Sequence, residues 1–134
     1  MNVLISIKQE YVDKILAGIK KWEFRKRSPR GRYNRYFMYE CGKDGKRAIV
    51  GVFLSYERTR VTEHDVHYLL SSGGVSKEDL LSYMPCMAIR IEAAWRLNTP
   101  VTLEDIGLDQ PPQSWQYLND DQVSAITRKS GDVL

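Results

Sequence analysis

The chain has 134 residues, 43 % apolar and 28 % charged, and its longest apolar run, Ala48 to Leu54, is seven residues. Those figures fit one folded domain and exclude a disordered or fibrous chain; they also exclude a membrane span, which needs about 20 apolar residues. The net charge is only +3, but eight cations and one anion fall between Lys20 and Arg35, so a body acidic by four carries one basic segment suited to phosphates or polyanions.

Val3-Leu4-Ile5-Ser6-Ile7 is rich in β-branched residues and too short for a stable helix, and predicts a buried first strand. The amino-terminal stretch has neither a basic lead nor a signal-type apolar run, and a cytoplasmic location is expected. The period then changes. Tyr11, Val12, Ile15 and Leu16 recur at helical spacing from about Gln9 to Ala17, and Gly18 stands where a left-handed cap ends a helix. Lys21 to Arg25 alternates, with Trp22 and Phe24 on one side and Lys21, Glu23 and Arg25 on the other, which predicts a half-buried strand with a core face and a charged face.

Ser28 to Asn34 reads as a loop from its Pro, Gly and Asn, and Tyr36 to Glu40 as the next strand. After a polar turn over Cys41 to Lys46, Ala48 to Glu57 predicts a strand buried on both sides, with Gly51 marking a bulge or a close backbone approach. Two short helices are expected next, Glu63 to Leu70 behind Thr62, and one opened by Ser76 in the manner of a capping box. Cys86 to Leu97 reads as one alternating strand. Short pieces follow: a helical turn at Thr102 to Ile106, a rigid corner at Pro111-Pro112, a short helix over Ser114 to Leu118, a last helix over Asp120 to Thr127, and a frayed tail after Lys129. Strands and short helices without regular βαβ alternation predict an α+β domain, its mixed or antiparallel strands curled into a barrel with short flanking helices. Cys41 and Cys86 stand in unlike contexts and read as reduced, packed thiols.

The segment from Gly18 to Arg25 carries the chemistry. Glu23 and Arg25 share a face, about 7 Å apart at Cα for a two-residue strand step. A carboxylate beside a guanidinium stays ionised and accepts hydrogen bonds, while Lys20, Lys21 and Arg25 donate to phosphate or carbonyl oxygens. Such a set reads a base edge and its phosphate together, although the spacing alone also suits a surface ion pair. Lys20 beside Lys21 and Arg25 has its ammonium form disfavoured, and Glu23 favours it, so two opposed effects meet at the residue best placed to act as a base. Tyr33, Tyr36 and Tyr39, interleaved with Arg32 and Arg35, suit the stacking of unpaired bases or ordinary packing. His64 and His67 have no third ligand at metal-site spacing, and the chain has no P-loop, Rossmann glycine pattern or nucleophile elbow, so neither metal nor cofactor is expected.

Gly18-x-Lys20-x-x-Glu23-x-Arg25 resembles, at every fixed position, the G-x-K-x-x-E-x-R signature of ASCH domains, small β-barrels of the PUA-like superfamily. The resemblance takes in the strand and helix before the motif, the strand through Ile49-Val50-Gly51 and the helix from Ser76 to Met84. It also takes in Pro111-Pro112-Gln113-Ser114 with Trp115 and Tyr117 after it, so it covers about residues 2 to 118 of a single domain spanning 1–134. It implies a cleft beside the first helix, lined by Lys20, Glu23 and Arg25, that binds RNA or a nucleotide-like ligand. Some relatives are enzymes. In the acetylcytidine amidohydrolase branch a Thr nucleophile and a Lys base occupy signature positions, and the Thr position is Glu23 here, which has no hydroxyl to attack with. Other relatives cleave RNA with Lys, Tyr and Ser side chains, for which Lys20, Tyr39 and Ser114 are available.

The expected protein is an RNA-binding or modified-nucleotide-binding module. Lys20, Glu23 and Arg25 read the ligand, Lys21, Arg27, Arg30, Arg32 and Arg35 attract its phosphates, and Tyr39 and Ser114 complete the site. The alternatives are a hydrolase of nucleic-acid metabolism, a ribonuclease or a modified-nucleoside amidohydrolase using Lys20 and Glu23, and a regulatory protein-interaction domain.

Overall fold

The computed structural model describes residues 1–134. In chain order its elements are β1 (Asn2–Lys8), α1 (Gln9–Leu16), β2 (Trp22–Arg25), β3 (Asn34–Cys41), β4 (Ile49–Ser55) and β5 (Arg58–Arg60). They are followed by α2 (Val66–Leu70), α3 (Lys77–Tyr83), β6 (Met87–Arg90), β7 (Ala93–Val101), a 3₁₀ turn at Glu104–Ile106, β8 (Trp115–Tyr117) and α4 (Asp120–Ser130). A five-stranded sheet has the order β7-β4-β3-β1-β8 and a three-stranded sheet the order β2-β6-β5. β1 and β3 run parallel, and the other pairings are antiparallel. The α+β class stands, but the expected barrel gives way to two open sheets. β7 and β8 lie at opposite edges of the larger sheet, and the chain between them forms a 3₁₀ turn and the Pro111-Pro112 corner rather than a strand that could join them.

Three apolar clusters order the layers. Leu4, Phe37, Val52 and Leu97 pack against Val123 and Ile126 of α4 on one face of the larger sheet. On its other face Val3, Ile5, Tyr36 and Phe53 meet Val12 and Ile15 of α1 together with Ile89 of β6. Trp22, Phe24 and Ala88 point the opposite way, toward Leu69 of α2 and Leu80 of α3. Both faces of β2 are therefore covered, which corrects the expectation that its charged side is solvated: Glu23 is as buried as Trp22 and Phe24.

Several local expectations hold. α1 stops at Gly18, whose φ is 77°, and Ser76 caps α3 by accepting the Asp79 N–H. A methyl group on Gly51 would stand 2.9 Å from the Trp95 carbonyl oxygen and from Met38 Cε, so the close approach requires glycine, and the ladders to β3 and β7 both shift register beside it. Others are corrected. α2 begins later than expected because the Asp65 carboxylate takes the Thr62 N–H and hydroxyl and holds a turn ahead of the helix. The single strand over Cys86 to Leu97 is two strands in different sheets: the Ile91 N–H donates to Lys21 and the Glu92 N–H to Leu54, so the chain changes sheet between them. Ser114 to Leu118 is not a helix; Trp115–Tyr117 pairs with Ile5, Leu4 and Val3 as the edge strand β8. The tail is tied down, since the Asn98 N–H donates to the Asp132 carboxylate at 2.8 Å and Leu134 packs against the α4 cluster. No helix is long and apolar enough to cross a membrane.

Candidate functional site

Lys20, Glu23 and Arg25 reach one place by different routes. Strand alternation turns Glu23 and Arg25 to the side of β2 that faces the larger sheet. Lys20 enters from the end of α1, where the Ile19 and Lys20 N–H groups both bond the Lys14 carbonyl, and the Lys21 N–H then bonds Ser72 in the α2–α3 connection. The three side chains are 1 %, 7 % and 12 % exposed. The Glu23 carboxylate stands between the cations: Oε2 accepts from Arg25 Nη2 at 2.9 Å, Oε1 lies 3.7 Å from Lys20 Nζ, and Oε1 also accepts the Phe24 N–H at 3.2 Å.

Arg25 bridges the two sheets. Its Nη2 donates to the Ser6 carbonyl of β1 at 2.8 Å, and Nη1 donates to the carbonyl and hydroxyl oxygens of Ser114, each at 3.3 Å. Lys20 Nζ donates to the Gly73 carbonyl at 2.5 Å and lies 5.4 and 5.0 Å from the ring centroids of Tyr11 and Phe24. The α2–α3 connection presses on the same side chain: a methyl group on Gly74 would stand 3.0 Å from Lys20 Cβ and Cγ.

Burial pushes Lys20 below its ordinary value; Arg25 and Lys14 act in the same direction, and Glu23 opposes them. For Glu23 burial alone would raise the value, but Arg25, Lys20 and the two hydrogen bonds it accepts outweigh burial and hold it below the usual carboxylate range. The acid is therefore an ionised acceptor between two donors at neutral pH. Burial, with Glu10, Asp79 and Glu23 nearby, pushes the Tyr11 phenol up and keeps it protonated as a donor.

These groups line a cleft of about 500 Å³, walled further by Ser6, Ile7, Val75, Tyr83 and Gln113, with Lys8 and Asp79 as its other charged residues. A half-apolar lining with convergent charged groups, at this volume, suits a small ligand that carries polar groups. Lys20, Glu23 and Arg25 thus converge as expected, and Ser114 holds Arg25 while its neighbour Gln113 lines the cleft. Lys21 turns away, its ammonium lying beside Gly18. Arg27, Arg30 and Arg32 are exposed on the loop after β2, outside the cleft. Arg35 sits on β3, bonded through Nε to Asn2 at 2.8 Å and stacked 5.7 Å over Phe37.

Tyr39 is corrected: it is buried in the α4-side core beside Leu4 and Phe37, and Tyr36 stacks on Phe53 in the opposite core. β3 is a central strand covered on both faces, so an aromatic on either side of it becomes core. Of the three interleaved tyrosines, Tyr33 alone is exposed. Sequence reasoning missed Tyr11 and Tyr83 as cleft walls; the available signal was the position of Tyr11 at the rim of the apolar stripe of α1, where a polar hydroxyl finds an opening.

The same fold recurs in solved proteins. An ASCH protein from Zymomonas mobilis superposes with a TM-score of 0.79 at 20 % identity, over 95 % of this chain and 94 % of the other. A serine-to-alanine variant from the same organism gives 0.84 at 17 % identity, over 96 % and 95 %. The N-terminal domain of McrB from Staphylothermus marinus gives 0.62 at 9 % identity, over 96 % and 93 %. At such identities the likeness is one of fold. Curated proteins yield no match. The ASCH domain model matches residues 5–79, from β1 into α3, a span that contains Lys20, Glu23, Arg25 and the Gly73 carbonyl that holds Lys20. With more than half of its length matched by that model, the chain belongs to the ASCH domain family.

Proposed function

We propose that this ASCH domain is a binding module for RNA or a nucleotide-like ligand, whose base and phosphate are taken up in the cleft at Lys20, Glu23 and Arg25. The observation that carries this reading is three charged side chains, nearly removed from water, at the wall of a cleft of about 500 Å³. A buried ion network adds little stability over an apolar set of the same shape. A preformed group of charge-assisted donors and one acceptor, in contrast, serves a polar ligand directly. Arg27, Arg30 and Arg32, exposed on the loop that leaves β2 beside Arg25, supply phosphate attraction. Ser114 acts by positioning Arg25, and Lys21, Arg35 and Tyr39 are left out of the ligand contacts.

A fluorescence-anisotropy titration with labelled single-stranded and hairpin RNA, repeated across salt concentrations, tests the reading. For about three neutralised phosphates on a single strand, the logarithm of affinity falls against the logarithm of salt with a slope near −2. Arg25→Ala is expected to weaken binding at least about tenfold, the scale of removing one bidentate charged interaction. A flat salt response, or an Arg25→Ala protein that binds as well as wild type, overturns the proposal.

A second reading, a hydrolase of nucleic-acid metabolism, is favoured by one observation: burial enlarges the neutral-amine fraction of Lys20, the form a general base requires. It predicts product release from RNA or a modified nucleoside by the wild type and none by Lys20→Ala. A binding module gives no turnover in either protein.

A further inference from the structure

We infer that a single RNA strand leaving the cleft runs onto a second surface, a basic and aromatic groove lined by Arg32, Tyr56, Arg58 and Arg60, with Tyr33 packed on Tyr56 beside it. This rests on the RNA-binding reading above and extends it from a nucleotide to a strand. The groove, about 730 Å³ in volume, lies at β5, the edge of the three-stranded sheet, whose three residues are all exposed. Arg58 and Arg60 are two strand positions apart, so both side chains leave the same side of β5 about 7 Å from each other. That spacing presents two guanidiniums to separate phosphates.

Beside them Tyr33 and Tyr56, 61 % and 49 % exposed, meet edge to face with ring centroids 5.4 Å apart. The Arg32 guanidinium lies 5.7 Å from the Tyr33 ring centre. Arg58 Nη1 donates to the Gly31 carbonyl at 2.7 Å and holds the loop carrying Arg32 and Tyr33 against the strand. Glu57 is the single carboxylate on the groove, against three guanidiniums. Arginines on an edge strand also guard against strand-to-strand aggregation. That role leaves two large, exposed aromatic rings unaccounted for. Aromatic faces among cations are the arrangement that stacks successive unpaired bases while neutralising their phosphates.

The register connects this groove to the cleft. Arg25 of β2 pairs with Met87 of β6, and Met87 pairs with Arg60 of β5, so these side chains leave the same face of one sheet in a row. Arg25 borders the cleft, and Met87 and Arg60 border the groove. Strands lie about 4.8 Å apart, so about 10 Å separates the two edges. The loop from Lys26 to Tyr33 begins at Arg25 and ends on the groove, and its Lys26, Arg27, Arg30 and Arg32 are exposed along the way.

The experiment compares a fluorescein-labelled oligouridylate of about 15 nucleotides, the upper range of a single-strand site, with uridine 5′-monophosphate measured by calorimetry. Arg60→Glu is the main variant, because that exposed side chain makes neither hydrogen bond nor ion pair; Tyr33→Ala/Tyr56→Ala is the second, and thermal melting by circular dichroism checks both folds. Arg60→Glu is expected to weaken the oligonucleotide at least about tenfold and to lower the salt slope by about 0.7 for each phosphate no longer neutralised. The tyrosine variant weakens the oligonucleotide without changing the slope, and both proteins bind the mononucleotide like wild type. Oligonucleotide affinity unchanged in both variants overturns the groove and leaves the cleft standing. A wild-type protein that binds neither probe overturns the cleft reading and the groove with it. Polyglutamate competing as strongly as the oligonucleotide also overturns the inference, because it marks the groove as a surface for acidic protein.

Discussion

Glu23 is the side chain on which the site depends, because its carboxylate touches both buried cations. Its folded value lies below the ordinary 4.5, so the unfolded chain binds more protons in between; the stabilisation is complete above 4.5 and drains away as pH falls through the folded value. Lys20 works on the alkaline side. Its folded value lies below the ordinary 10.5, so its charge costs stability at neutral pH, and stability rises with pH through the window between the two values. Glu23→Gln leaves two buried cations without an anion and is expected to cost about 3 to 5 kcal/mol by urea denaturation, with a flatter acid limb. A cost below about 1 kcal/mol, the size of a surface pair, would contradict the burial argument. Lys20, which lies outside β2, was grouped with Glu23 and Arg25 by the resemblance to the ASCH signature, whereas that those two share a side was readable because a strand period fixes it. What covers that side was not, since the α2–α3 connection that seats Lys20 comes from more than 50 residues downstream, Gly73 bonding Lys20 across 53 positions.

Elements defined by local pattern emerged from the sequence nearly as they stand: β1, α1 with its stop at Gly18, β2, β3 and β4. The failures are places where a distant partner decides. Ser114 to Leu118 has the length of a helical turn, yet Trp115–Tyr117 finds the open edge of β1 and becomes β8, where aromatic residues also favour extended backbone. β8 in turn secures the basic loop: Trp115 Nε1 donates to the Arg27 carbonyl at 2.9 Å and the Arg30 N–H donates to the Tyr117 hydroxyl at 2.8 Å. The alternation through Cys86 to Leu97 is continuous, and nothing in it announces the change of sheet at Ile91 and Glu92. α4 offers a control on the functional reading. Asn119 and Gln122 cap it reciprocally, at 2.8 and 2.9 Å, and no residue of α4 lines the cleft. Asn119→Ala is expected to cost about 1 kcal/mol of stability in urea unfolding while leaving RNA affinity unchanged; a matched fall in affinity would mean that binding merely follows global stability.

At the scale of the molecule, the barrel expected from strands and short helices without regular βαβ alternation is two open sheets, and the cleft lies where β1 of one meets β2 of the other. Arg25 is the tie between them, from β2 to the Ser6 carbonyl of β1 and to Ser114 ahead of β8. The uneven charge was visible from where the cations fall along the chain, whereas the cationic strand Arg58-Thr59-Arg60 was overlooked because three residues are too few to show a period. In the proposed function a nucleotide settles against Lys20, Glu23 and Arg25. The most direct measurement is a two-dimensional NMR titration of the isotope-labelled protein with uridine 5′-monophosphate. Shifts concentrated on the amides of Lys20 to Arg25, Tyr11 and Ser72 to Val75 are the predicted result. Shifts gathered instead on α4 and β7, or an unchanged spectrum at millimolar ligand, would contradict it.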